Sequence, residues 1–109
     1  MSEGLNTYQG MQSWLNITQA TTVKAKGGRI MRVQVLVAGT APGAVYDAPS
    51  PNGYTPPGSL PGTTPTPNGV ANQVGVIPNA VGMVKLDMRC ATGITVAPGA
   101  GQTVAVSYD

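Results

Sequence analysis

From Ala48 to Ala71 the chain runs APSPNGYTPPGSLPGTTPTPNGVA, a 24-residue stretch with seven of the ten prolines and no charged residue. Proline fixes φ and has no N–H to donate, so this composition is incompatible with a helix or an interior strand. A loop is predicted over 48–71. Connections of that length are uncommon in compact domains and are usually either functional or disordered. Tyr54 and Leu60 are its large apolar side chains, amid proline, glycine, serine, threonine and asparagine. That chemistry suits a protruding contact element better than a catalytic one.

The segments on either side of the loop alternate as β-strands do. Ile17 to Lys24 reads as a strand, and the paired glycines Gly27-Gly28 supply a tight turn. Arg29 to Ala38 follows, with Met31, Val33, Val35 and Val37 expected on the core face. Ala44 to Asp47 is short. Beyond the loop, Gln73 to Ile77 places Val74 and Val76 on one face. In Gly82 to Cys90, Val84, Leu86, Met88 and Cys90 oppose Lys85, Asp87 and Arg89. Ile94 to Val96 and Gln102 to Tyr108 complete about seven strands, the last with Val104, Val106 and Tyr108 on one side. Short alternating strands separated by turn residues pack as two sheets, so the predicted fold is all-β, a small antiparallel β-sandwich or jelly roll, with a small barrel as the second choice. A 109-residue chain fits one such domain, at 17–109, preceded by an N-terminal arm at 1–16.

The residue inventory narrows the chemistry. The chain has no histidine, which removes the usual general base near neutral pH and the commonest zinc ligand. Its acids are Glu3, Asp47, Asp87 and Asp109. Asp87, between Lys85 and Arg89, reads as part of a surface row of ion pairs, and nothing requires it to meet Asp47 as a glycosidase-type pair would. Cys90 is the single cysteine and falls on an apolar face, as expected of a small buried hydrophobe. No catalytic residue, metal site or cofactor is expected. Gly99-Ala100-Gly101 is a turn rather than a phosphate loop, since neither lysine nor helix follows. A net charge of +2 is too small and dispersed for nucleic acid to be the expected partner. The longest apolar run, Val35 to Ala38, is too short to span a membrane. The N-terminal residues lack the pattern of a signal peptide, so folding in the cytoplasm is expected.

Two groups remain as candidate contact residues, besides Tyr54 in the loop. Lys24, Lys26 and Arg29, with Arg32, form the local basic cluster around Gly27-Gly28 and should meet at one end of the sandwich. The arm carries Tyr8, Met11 and the only tryptophan, Trp14. Read by itself the segment is either a frayed chain end or, since aromatic side chains are enriched at interface hot spots, an arm that anchors on a neighbour.

The series Val23-Lys24, Gly28-Arg29-Ile30, Val45-Tyr46-Asp47, Val76-Ile77-Pro78, Gly93-Ile94-Thr95-Val96, Gly99-Ala100-Gly101 and Val104-Ala105-Val106-Ser107-Tyr108 resembles, in that order, a recurrent small domain of tailed-bacteriophage structural proteins. The resemblance covers roughly residues 20 to 109 and implies a virion component. The expected function is that of a capsid decoration or cement protein, a homotrimer that binds the major capsid protein on the head exterior. In that setting Tyr8, Met11 and Trp14 would reach the capsid or an adjacent trimer. The long loop after Asp47 departs from the family pattern, which expects a short connection there. It would equally suit a head-fibre or tail-tip module that binds a receptor or glycan, with Tyr54 at the loop tip as a stacking platform.

Overall fold

A computed structural model of the protein describes residues 12–56 and 58–109. Among the described residues there are eight strands: β1 (Gln12–Ile17), β2 (Thr21–Lys24), β3 (Gly28–Val37), β4 (Gly43–Asp47), β5 (Gln73–Ile77), β6 (Gly82–Cys90), β7 (Ile94–Ala97) and β8 (Thr103–Tyr108). A single 3-10 turn, Val70–Asn72, leads into β5. The strands form two antiparallel four-stranded sheets, ordered β1-β8-β3-β6 and β2-β7-β4-β5.

These orders contain the nested pairs β4 with β5, β3 with β6, β2 with β7 and β1 with β8. The chain is thus a long hairpin of paired strands rolled so that β3 also meets β8 and β4 also meets β7. This is the jelly-roll arrangement of a sandwich. The Pro-rich segment occupies the apex of that hairpin, between β4 and β5. It shares one end of the sandwich with the β2–β3 and β6–β7 turns. The β1–β2, β3–β4, β5–β6 and β7–β8 connections lie at the opposite end.

The core lies between the sheets. Ile17, Ile30, Val33, Val35, Cys90, Val104, Val106 and Tyr108 line it from the first sheet, and Val23, Val45, Ile77, Ile94 and Val96 from the second. Strand β8 buries Val104, Val106 and Tyr108 as its alternation predicts.

Elsewhere irregularities in the pairing change which residues face inward. In β3 the register shifts between Ile30 and Arg32 and again between Val35 and Val37. Ile30 consequently joins the core in place of Met31, while Val37, expected inside, is 51% exposed. In β5 the register slips opposite Val45 and Tyr46, so Val74 packs against the core whereas Val76 is 55% exposed. In β6 the slip lies between Met88 and Lys85, near Asp87, whose φ of 50° is left-handed; Met88 is left exposed beside the buried Cys90.

The expected strand from Ile17 to Lys24 is two strands in different sheets, and the first begins earlier. Residues 12–16, expected in the arm, form most of β1 and pair with β8, Gln12 opposite Tyr108 and Trp14 opposite Val106. Asn16 takes a left-handed φ of 58°, and the register shifts between Trp14 and Ile17. Asparagine tolerates that conformation better than most residues. The bend sends Ile17 into the core.

Candidate functional site

The Pro-rich segment is a stem with an exposed tip. Tyr54 and Thr66 exchange backbone hydrogen bonds, Tyr54 N–H to Thr66 O at 2.9 Å and Thr66 N–H to Tyr54 O at 2.7 Å. Gly53 has a φ of 135° and lies where a Cβ would overlap the Thr66 carbonyl oxygen, which explains glycine at that position. Below this pair, two asparagines tie the stem together. Asn72 Nδ2 donates to the Asp47 carbonyl at 3.1 Å and to Asn68 Oδ1 at 2.9 Å, while its Oδ1 accepts from Gly69 N–H at 2.9 Å. Asn68 Nδ2 reaches back to the Ser50 carbonyl at 3.2 Å. At the root, Ala48 is buried and donates its N–H to the Gly93 carbonyl, and its own carbonyl accepts from Thr95 Oγ1.

Tyr54 is therefore at the stem and not at the tip. It lines a hollow of about 290 Å³ together with Asp47, Thr55, Ala71, Asn72, Gln73, Val74, Ala91 and Thr92. The tip, from Thr55 to Pro65, contributes no buried side chain among the described residues. Replacing residues 55–65 by Asn-Gly preserves the Tyr54–Thr66 pair with a two-residue hairpin turn. The expected change in Tm, followed by circular dichroism, is within about 3 °C, because little apolar area is lost.

Asp47 holds the root of this end in place. Its carboxylate accepts from Ala91 N–H at 2.9 Å, Thr92 N–H at 2.8 Å and Thr92 Oγ1 at 2.8 Å, bracing the β6–β7 turn. Partial burial alone would raise its pKa. The hydrogen bonds from Thr92, Ala91 and Gly93 outweigh that effect and hold the carboxyl below its ordinary value. Asp87 is engaged elsewhere, in an ion pair with Arg29 at 3.2 Å on the outside of the first sheet. Its partner lies across the strands rather than next to it in sequence. Among the described residues, no three His, Cys, Asp or Glu side chains converge as metal ligands would.

Cys90 is fully buried, and burial, with the Asp47 charge second, pushes its thiol up to about 11. The reactive form is the thiolate. Native protein near neutral pH is expected to resist a thiol-specific reagent for as long as it stays folded. Full labelling should follow unfolding in guanidinium chloride, and a stoichiometric reaction without denaturant would contradict the burial.

The basic cluster is partly gathered at the end that carries the Pro-rich stem. Lys24 Nζ donates to the Asp109 backbone carbonyl at 2.9 Å, and the Arg29 and Asp109 backbones pair with each other. Lys26 is exposed in the β2–β3 turn. Arg32 lies further along β3 and opposes Lys85, which sequence proximity did not suggest. Trp14, on the edge strand, is 41% exposed. Tyr8 and Met11 lie outside the described residues. Compared with protein-family models, curated proteins and solved structures, the chain matches none.

Proposed function

We propose that this is a non-enzymatic virion structural protein, a decoration or cement protein that binds the exterior of a phage head as a homotrimer and stabilises it. The observation that carries the reading is the set of large apolar side chains left in solvent on a jelly-roll framework. Leu15 and Met83 are exposed on the first sheet, and Leu60 and Val70 on the Pro-rich segment. Exposed apolar side chains that adjoin, as Leu15 and Met83 do at one hollow of the first sheet, mark sites of protein contact. The ordered motif series from Val23 to Tyr108 supports the virion assignment. A trimer spanning several capsid subunits would gain avidity that a single weak contact lacks. The stem bonds of Asn68 and Asn72, with the prolines, would reduce the ordering entropy lost on docking.

The test is light scattering followed by co-sedimentation with purified heads of tailed phages. The expected results are a mass of three subunits and saturable binding that raises the temperature at which heads rupture. A monomer that stays in the supernatant would remove the reading.

The Tyr54 hollow favours a second reading, a receptor- or glycan-binding module of a head fibre or tail tip. An aromatic ring beside Thr55 and Gln73 offers a stacking face and hydroxyl and amide partners without a cation. Binding of neutral oligosaccharides that is lost in Tyr54→Ala, with heads left unbound, would select it.

A further inference from the structure

The pairing of β3 with β6 places like charges directly opposite one another. Arg29 faces Arg89, and Arg32 faces Lys85. Their neighbours Ile30, Val33 and Cys90 point into the core, so all four cations stand on the outer face of the first sheet. They are four of the chain's six basic residues. Among the described residues, Asp87, bound to Arg29, is the carboxylate that answers them. Like charges directly opposed across two strands destabilise a sheet. The free protein thus carries an electrostatic penalty that a negatively charged partner would relieve.

The same face turns apolar away from this ladder. Leu15, 68% exposed, and Met83, 61% exposed, flank a hollow of about 210 Å³ whose wall includes Arg32, Gln34 and Ser107. A second copy meeting this face through its own equivalent face would set cation against cation. A phosphate backbone would satisfy the cations but offers no surface for leucine and methionine. An acidic protein surface with apolar groups among its carboxylates matches both halves.

We propose that the outer face of the first sheet is a docking surface for an acidic protein partner, with the Arg29, Arg32, Lys85 and Arg89 ladder meeting carboxylates and Leu15 and Met83 meeting apolar side chains. This deepens the head-binding reading, on which the partner's place in the virion rests. The chemistry of the face is testable without heads.

The probes are poly-glutamate, a random glutamate-tyrosine copolymer and a DNA duplex, titrated at several salt concentrations. Wild-type protein is expected to bind the mixed copolymer more tightly than poly-glutamate, with affinity falling as salt rises. Lys85→Glu should weaken both acidic polymers by about tenfold or more while raising Tm by about 3 °C at low salt, because it turns a repulsive pair into an attractive one. Adding Arg32→Glu restores a like-charge pair, so Tm should fall back while binding stays lost. Leu15→Ser with Met83→Ser should abolish the preference for the mixed copolymer. Unchanged polymer affinity in Lys85→Glu would overturn the proposal. So would preferred capture of DNA that the Leu15 and Met83 changes leave untouched, which would assign the face to a phosphate backbone. Failure of wild-type protein to bind heads, with the polymer results as expected, would remove the virion reading alone.

Discussion

Replacing Gln102 by leucine is expected to lower Tm by about 15 °C, the effect of roughly 3 kcal/mol on a domain of this size. Gln102 is 1% exposed and joins two connections at the end opposite the Pro-rich stem. Its Nε2 donates to the Pro78 carbonyl at 2.9 Å, and its Oε1 accepts from Gly99 N–H at 2.8 Å. Leucine fills the same space and leaves both part-buried backbone groups without their partner. The surrounding chain has no room to adjust. A Cβ on Gly99 would overlap the Ala41 carbonyl oxygen, and one on Gly39 would overlap that of Ala100. Thr40 N–H also donates to Ala100 O at 2.8 Å, and Gly39 N–H to Asn79 Oδ1 at 2.8 Å. Thermal unfolding followed by circular dichroism checks the expectation, and a shift under about 3 °C would show that the freed groups find other partners.

Asp47→Ala is expected to lower Tm by about 10 °C near neutral pH, corresponding to roughly 2 kcal/mol. The variant removes the acceptor for Ala91 N–H, Thr92 N–H and Thr92 Oγ1 together. Its effect depends on pH in a fixed direction, because the folded carboxyl has a lowered pKa. Above the unfolded-state value of about 3.9 both states are ionised and the full stabilisation is present. As pH falls below that value the unfolded chain takes up its proton first, and the stabilisation fades until the folded carboxyl is protonated too. The difference in Tm between wild type and Asp47→Ala should therefore be constant through the neutral range and shrink on acidification below about pH 4. A difference independent of pH would mean that the carboxylate charge contributes nothing.

The all-β architecture was legible wherever a strand keeps strict alternation, as β8 does with Val104, Val106 and Tyr108. It was least legible at β1, an edge strand in which only Ile17 is buried, so no apolar period marks it. Register shifts at Met31, Leu36, Val74 and Asp87 exchanged Met31 for Ile30 and exposed Val37, Val76 and Met88, since a slip of one residue reverses the faces. Of the contact residues, the Lys24 and Arg29 juxtaposition followed from their shared turn. The opposition of Arg32 and Lys85 depends on the pairing of strands distant in sequence, and no local pattern signals it. The stem position of Tyr54 was equally hidden, because it depends on Thr66 rather than on the prolines around it.

The nested pairing also bears on how fast the chain folds. The innermost ladder, β4 with β5, is separated by residues 48–72, and every outer ladder spans a longer stretch of chain. Closing a loop has an entropic cost that grows with its length, and topologies dominated by distant contacts fold slowly. In this protein the shortest nested closure is itself lengthened by the Pro-rich segment. A stretch that adds little to the core thus sits where its length weighs directly on the folding barrier, and the Asn68 and Asn72 stem shortens the effective span that the two strands must bridge.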